Sequence, residues 1–299
     1  MFEVNLKKIK QIYDEFCHEQ VQKDFSLDLL QAVDNNSFKT CLSNIPFTNE
    51  LSFSQGIGLF ETIKIATCNN ENVDSNCDEN MDDTYLDFLD EHITRIIKGV
   101  KELLPEIYSD NLDYFKDVKF FKYILNNFLH SNKYQQGAIK LVIAASSFKS
   151  MRVFINYEFR VYQKQDYETG FTLKLVSHKR NNSNNLLSYK TLSNMENMYI
   201  LHQVRNEGAN EALFLNTDNY IAEGSISNIF WIKDKTLYTP SCSCGILPGI
   251  MRNATINKYL KLGYEVLEGE YPVSHLKNAD RIFITNSLMG EMKVTNILF

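Results

Sequence analysis

The hydrophobic period switches repeatedly along this chain, and that switching limits the folds open to it. Leu89, Ile93, Ile96-Ile97, Val100 and Leu103-Leu104 recur at helical spacing and predict a helix over roughly 89–104 with one buried face. A second helix is expected across 112–131, with strands at Gly58–Ala66 and Ala138–Ala145 on either side of the pair. After Ser146 the alternation of β-branched and aromatic residues takes over, in RVFINYEFRVYQ and then FTLKLVSH. Ser193-x-x-Glu196 reads as a capping box that opens a helix ending before Gly208, with Met195, Met198-Tyr199 and His202 on one face. EALFLN reads as a strand, Thr217-Asp218-Asn219 as a turn, and NIFWIKDKTLYTP as a hairpin around Asp234-Lys235. A loop, GILPG, feeds a helix from about Ile250 to Leu262, and RIFITNS is a late buried strand. Mixed periods of this kind predict an α/β (α+β) fold. Two domains are expected, 1–157 and 158–299, with the boundary near Asn156–Phe159.

Two stretches stand apart. Residues 1–45 look helical in two pieces, with Val4, Leu6, Ile9 and Ile12-Tyr13 at helical spacing. Residues 68–83 are rich in Asn and acids and nearly lack apolar side chains, so they read as a solvated loop without chemistry.

Composition removes several function classes. With 44% apolar and 23% charged residues the chain is an ordinary globular one. A net charge of −6 without a Lys/Arg-rich block argues against a nucleic-acid partner. No apolar run reaches membrane-spanning length, and Glu3, Asp14, Glu15 and Glu19 occupy the place of a signal peptide's apolar stretch, so a cytoplasmic protein without a membrane partner is expected. The six cysteines are scattered and expected to be reduced. Cys242-Ser243-Cys244 lacks further ligands at metal spacing, so no metal is expected.

The chemistry-bearing residues lie mostly in the second half. Lys190 sits in LLSYKTLSNMEN, between an Asn-rich loop and the helix after it. A lysine amine forms an imine with an aldehyde cofactor when it is fixed in a pocket and partly neutral. Glu223 lies in IAEGSISNIFWIKD, where small residues follow it. A carboxylate there suits the pyridine nitrogen of such a cofactor. Gly245–Met251 forms a Gly-containing loop entering a helix, whose free N–H groups suit a phosphate. Arg95, in EHITRIIKG, can add a bidentate charge to that phosphate, and Ser287 a hydroxyl.

Each piece is commonplace alone; their order and flanks are specific. K-T-L-S-N-x-E-N, A-N-E-A-L-F-L-N-x-D-x-Y-I-A-E-G-S-I-S-N-I-F, G-I-L-P-G-I-x-R and A-D-R-I-F-I-T-N-S-L, with G-I-G-L-F-E-T-I-K at 56–64 and E-H-I-T-R at 91–95, resemble the class-IV aminotransferases, the fold-type IV pyridoxal-phosphate enzymes. The resemblance covers about residues 52–299. It implies two α/β domains with pyridoxal 5'-phosphate in the cleft between them, a small-molecule amino substrate and a homodimer. By position, Lys190 would be the Schiff-base lysine and proton carrier, and Glu223 the partner of the pyridine nitrogen. Arg95, the Ile250 and Met251 amides and Ser287 would hold the phosphate. Met251 stands where many members have Thr, and Ser287 where several have Thr. The first 45 residues do not match, and the Asp and Arg of the family's D-R-G stretch are absent before G-I-G-L-F-E.

Three activities share this framework. The G-x-N-Y run of branched-chain enzymes is replaced here by Leu192-Ser193-Asn194-Met195, and the R-x-H pair of D-amino-acid enzymes is missing from IKLVIAASSFKSMR. The chain is most similar to the 4-amino-4-deoxychorismate lyases, through Lys140 in AIKLVIAA, Asn286 in TNSLMG and the N-I-F-W-x-K run. Lys140 would steer a dianionic substrate, Asn286 would orient it, and Arg152 would add a second positive contact. The resemblance thus implies elimination of pyruvate to give 4-aminobenzoate for folate synthesis, with transamination of branched-chain or D-amino acids as the alternative. A non-catalytic descendant is the reading from a different class, and an imine absorbance at roughly 410–430 nm separates it from an enzyme.

Overall fold

The computed structural model describes residues 2–4, 52, 55–67, 84–110, 117–147 and 150–299. The expected loop at 68–83, the start of the expected helix at 112–116 and nearly all of the expected N-terminal helices lie outside these residues. The chain divides into two compact units, Met1–Arg160 with Thr191–Ser193, and Val161–Lys190 with Asn194–Phe299.

The first unit is built on an antiparallel sheet of five strands in the order β1-β5-β4-β2-β3. These are β1 (Phe2–Val4), β2 (Gly58–Thr67), β3 (Thr84–Leu86), β4 (Gly137–Ser147) and β5 (Ser150–Glu158). Phe2–Val4 is therefore an edge strand and not the start of a helix: its backbone pairs with Val153–Ile155 of β5. Among the described residues its helices are α1 (Leu89–Leu103), α2 (Pro105–Asp110) and α3 (Val118–Ser131). Within the described part of the expected 112–131 helix, α3 begins at Val118, capped by Asp117, whose side chain accepts from the Lys119 N–H at 2.9 Å.

Strand period decides which sheet face is covered. Leu59, Ile63 and Ile65 of β2, Ile139, Leu141 and Ile143 of β4, and Met151, Val153 and Ile155 of β5 are buried on one face. Gly99 of α1 packs so close to Leu59 that an added Cβ would come within 2.8 Å of it. The alternate positions, including Phe60, Thr62, Lys140, Val142, Arg152 and Asn156, are only half buried. The strand expected to run through RVFINYEFRVYQ stops at Glu158. Glu158 pairs with Ala138, and β4 begins one residue earlier at Gly137, so the following residues find no ladder to join. Gln163 and Asp166 instead form a capping box for a short helix, α4 (Lys164–Thr169), which the strand-like sequence concealed.

The second unit carries a mixed sheet of seven strands, β10-β9-β8-β11-β12-β6-β7. Its strands are β6 (Phe171–Arg180), β7 (Glu211–Asn216), β8 (Asn228–Lys233), β9 (Thr236–Pro240), β10 (Glu265–Gly269), β11 (Arg281–Asn286) and β12 (Gly290–Leu298), and its longer helices are α5 (Met195–Asn206) and α6 (Ile250–Lys261). Parallel pairing joins β6 to β7 and β12, whereas β8, β9, β11 and β12 meander antiparallel. One face buries Leu173, Leu213, Ile229, Trp231, Ile284 and Met292. On the other, Phe230 and Phe283 stack at 5.2 Å beside Tyr259 of α6. The α5 helix packs Ile200, Leu201 and Val204 on Ala212 and Phe214, which leaves the Met195, Met198, Tyr199 and His202 face exposed.

The capping box expected at Ser193 does not form. Asn194 is the cap residue and makes no side-chain cap bond. Ser193 Oγ donates to the Gly56 carbonyl at 3.2 Å, and Glu196 turns its carboxylate to His178 at 2.5 Å. Tertiary partners outcompete the local motif. Among the described residues no helix is long and apolar enough to cross a membrane.

Candidate active site

The site in the second unit grows from a loop held over a buried carboxylate. After β7 the chain returns antiparallel, with the Phe214 N–H donating to the Glu223 carbonyl and the Ala222 N–H to the Phe214 carbonyl, both at 2.9 Å. Residues 224–227 then fold over Glu211. That carboxylate accepts from the N–H groups of Ala212, Ser225 and Ile226 at 2.9, 2.8 and 3.2 Å, and from Ser227 Oγ at 3.1 Å. Burial pushes the Glu211 carboxyl up, against those four donors. A Cβ at Gly224 would lie 2.3 Å from Ser227 Oγ and 3.0 Å from the Glu211 carboxyl carbon, so only glycine fits the fold-over.

Glu223 is thereby buried with its side chain fixed. Its Oε2 accepts from the Leu247 N–H at 2.9 Å, and its Oε1 lies 3.5 Å from Arg180 Nη2. Burial drives its carboxyl from the ordinary 4.5 up to about 7; the Arg180 charge, the Leu247 hydrogen bond and the Lys190 charge pull it down, and Glu211 pushes it further up. Lys190, half buried, follows the short turn Asn185–Ser188 and is close enough for its charge to act on Glu223. The next residues, Thr191 and Leu192, pair with β2, the Leu192 N–H donating to the Gly58 carbonyl at 2.9 Å.

The Leu247 contact ties Glu223 to the GILPG loop and so to the start of α6. Gly249 is the cap residue of α6, with no side chain capping the helix, and the first intrahelical bond comes from the Asn253 N–H. The Ile250 and Met251 amides precede that bond, which suits an anion. Asn228 donates to the Leu247 carbonyl at 2.9 Å, and a Cβ at Gly249 would fall 2.2 Å from its Oδ1. The buried hydroxyls of Ser225 and Thr285 find no hydrogen-bond partner among the described residues. A buried acid, a bare helix N-terminus and spare hydroxyls together fit a phosphorylated pyridine.

Asn286 closes this cluster. Its Nδ2 donates to the Ile226 carbonyl at 3.2 Å, and its Oδ1 accepts from the Leu288 and Met289 N–H groups, both at 2.9 Å. It thus ties the Glu223 loop to the turn that contains Ser287. The geometry brings together Lys190, Glu223, the start of α6 and the Asn286-Ser287 turn.

Arg95, Lys140 and Arg152 belong to the first unit. Arg95 grips the buried Glu61 with two bonds, Nε to Oε1 at 2.7 Å and Nη2 to Oε2 at 2.6 Å, and His92 Nδ1 lies 2.7 Å from the same Oε2. Burial alone would raise the Glu61 carboxyl; Arg95, with help from His92, outweighs it and holds the group at about 2. Lys140 and Arg152 lie on the opposite, half-open sheet face. Lys140 pairs with Asn156, and Arg152 is four residues farther along β5, about 13 Å away along the strand. Lys140 Nζ lies 3.5 Å from Glu158 and 5.0 Å over the Phe60 ring.

Sequence reasoning did not single out Arg180, Glu211, Glu61 or His92. Glu61, His92 and Glu211 lie within the quoted G-L-F-E-T, E-H-I-T-R and A-N-E-A-L-F runs. Arg180 and Glu211 look in sequence like ordinary strand-end charges.

Comparison with known proteins agrees with the architecture. The amino-transferase class IV family model matches residues 58–297. An aminodeoxychorismate lyase of Bacillus subtilis is 28% identical over 254 residues, 82% of this chain and 79% of its own. A branched-chain aminotransferase of the archaeon Thermoproteus uzoniensis, solved with norvaline, aligns with a TM-score of 0.70 at 22% identity, covering 86% of this chain and 83% of its own. The 4-amino-4-deoxychorismate lyase of Pseudomonas aeruginosa aligns with a TM-score of 0.67 at 20% identity, over 83% and 86%. With its two sheets and the match over most of its length, the chain belongs to the class IV amino-transferases and has their fold-type IV architecture.

Proposed function

We propose that this chain is a pyridoxal-phosphate-dependent lyase that eliminates pyruvate from 4-amino-4-deoxychorismate and leaves 4-aminobenzoate. The observation that carries the reading is Glu223, a buried carboxyl fixed by the Leu247 N–H and acted on by the charges of Arg180 and Lys190. The likeness to the Bacillus subtilis lyase along most of both chains supports the choice of reaction.

When bound, pyridoxal phosphate supplies an aldehyde for the substrate amine and a protonated pyridine ring that accepts electrons. Lys190 would hold the cofactor, and its amine, when free, would take the proton from the amine-bearing ring carbon of the substrate. Glu223 would keep a proton at the pyridine nitrogen, and the Leu247 N–H and the loop over Glu211 keep Glu223 in place. By the family resemblance the Ile250 and Met251 amides, Ser287 and Arg95 would hold the phosphate, and Glu61 grips the Arg95 fork. By the same resemblance Lys140 and Arg152 would meet the substrate carboxylates. Asn286, its amide oxygen committed to the turn, orients the substrate through that turn. The carbon–oxygen bond to the enolpyruvyl group breaks with its electron pair on oxygen, and the substrate ring becomes aromatic. A proton from Lys190 or a held water reaches the departing three-carbon unit, giving pyruvate. One proton is removed and one returned, so no redox partner is needed. The working form is a homodimer, in keeping with the family resemblance.

The test is to incubate the purified chain with aminodeoxychorismate and follow aminobenzoate and pyruvate. Both products are expected in equal amounts. Transamination of branched-chain or D-amino acids without aminobenzoate would overturn the lyase reading.

A further inference from the structure

Arg180 flanks Glu223, and its environment is unusual. It ends β6 and is only 1% exposed, one of the largest fully buried side chains in the described residues. A buried guanidinium must be paired to be tolerated. Two carboxylates flank it: Glu223 Oε1 at 3.5 Å from Nη2, and Glu196 Oε2 at 3.6 Å from Nη1. The face of Phe214 lies 4.1 Å from its central carbon. None of its three nitrogens makes a hydrogen bond among the described residues, so charge and stacking hold it there without a directed fork. Glu196 is itself anchored, since its other oxygen meets His178 Nε2.

We propose that Arg180 is a positioning residue for Glu223: lodged between two carboxylates and an aromatic face, it keeps Glu223 charged and aimed, so that the shared proton resides on the cofactor's pyridine nitrogen. The proposal rests on the reading of Glu223 as the pyridine partner. The physical argument is a competition for one proton. A proton between a buried acid and a pyridine can sit on either, and low polarity favours the neutral pair. A fixed positive charge beside the acid favours the ionised acid, and with it the protonated ring that accepts electrons. Lys190 acts in the same direction, and Glu211 opposes both. Lys190, as the proton carrier, would gain and lose its charge, whereas Arg180 cannot lose its own. Arg180 is thus the constant part of the field on Glu223.

The test uses the full-length chain with Arg180→Met, Arg180→Lys and Glu196→Gln. The Glu223 carboxyl is titrated by carbon-13 NMR before cofactor is added, its signal identified by its loss in Glu223→Gln. Pyridoxal phosphate affinity is then measured at pH 7.5. Arg180→Met should raise the Glu223 midpoint by one pH unit or more and weaken cofactor binding at least tenfold. Arg180→Lys should restore most of the midpoint. In the Glu223→Gln background, Arg180→Met should cost no further affinity. An unmoved midpoint, or an equal loss in both backgrounds, overturns the proposal. If Arg180→Met does not fold, the half-exposed Glu196→Gln decides: relieved of one carboxylate, Arg180 acts on Glu223 alone and the midpoint falls, whereas an unmoved or raised midpoint overturns the proposal. If Glu223→Gln leaves cofactor affinity and absorbance unchanged, the pyridine reading fails and takes the proposal with it. A normal Glu223→Gln effect with an unmoved midpoint in Arg180→Met rejects Arg180 alone.

Discussion

Replacing Glu223 by Gln should make the cofactor-free chain relatively more stable at alkaline pH than at acid pH, although it removes a residue central to function. The Glu223 carboxyl sits at about 7 in the folded chain against an ordinary 4.5, because burial outweighs the Arg180 charge, the Leu247 hydrogen bond and the Lys190 charge. Below pH 4.5 both folded and unfolded chains hold the proton, and the group makes no pH-dependent demand. Between 4.5 and 7 the folded chain keeps a proton that the unfolded chain has released, so stability falls as pH rises; above 7 the loss is complete. At ~1.4 kcal/mol per pH unit the gap is worth about 3 kcal/mol. About 2–3 kcal/mol of this separates pH 5 from pH 8. The assay is urea unfolding of both proteins at pH 5 and pH 8. Trp231, the chain's single tryptophan, is buried in the second unit and reports its loss. The wild-type chain should lose about 2–3 kcal/mol relative to Glu223→Gln between the two pH values. Taking the difference between proteins cancels every other titrating group. Parallel pH profiles, or a wild-type chain that gains on the variant at pH 8, would refute the electrostatic reasoning.

Glu61→Gln should show the opposite sign. Its carboxyl is held at about 2, so its contribution is present above 4.5 and is lost as pH falls toward 2; the variant should be about 3 kcal/mol less stable at pH 7, with the deficit shrinking at pH 3 in urea unfolding followed by circular dichroism. Gly249→Ala should weaken pyridoxal phosphate binding roughly tenfold or more in a fluorescence titration, because the new Cβ would fall 2.2 Å from Asn228 Oδ1 and disturb the start of α6. Lys140→Met should raise KM for the dianionic substrate roughly tenfold and flatten its salt dependence, while the absorbance of the bound cofactor stays as in wild type.

Much of this architecture was legible because hydrophobic period and burial coincide. Ile93, Ile96 and Val100 mark the buried face of α1, and Leu59, Ile63 and Ile65 the covered face of β2. The failures came where the deciding partner is remote in sequence. RVFINYEFRVYQ alternates beyond Glu158, but β4 offers no backbone to pair with there. Ser193 and Glu196 have capping-box spacing, yet Gly56 and His178 claim their side chains. For the candidate site, the family motifs drew attention to Lys190, Glu223 and the start of α6 but not to what supports them. Glu211 opens EALFLN like any strand-end acid, and its role emerges only when residues 224–227 fold back over it. Arg180 closes FTLKLVSHKR beside another basic residue, and only its remote partners, Phe214, Glu223 and Glu196, distinguish it from a solvated charge.

The most direct measurement is chemical trapping. The chain is loaded with pyridoxal phosphate, reduced with borohydride, digested and mapped by mass spectrometry. The account expects a single phosphopyridoxyl group on the peptide that carries Lys190, and its absence after Lys190→Ala. A label on another lysine, or unchanged labelling of the alanine variant, would contradict the assignment of the amine on which the rest of the chemistry depends.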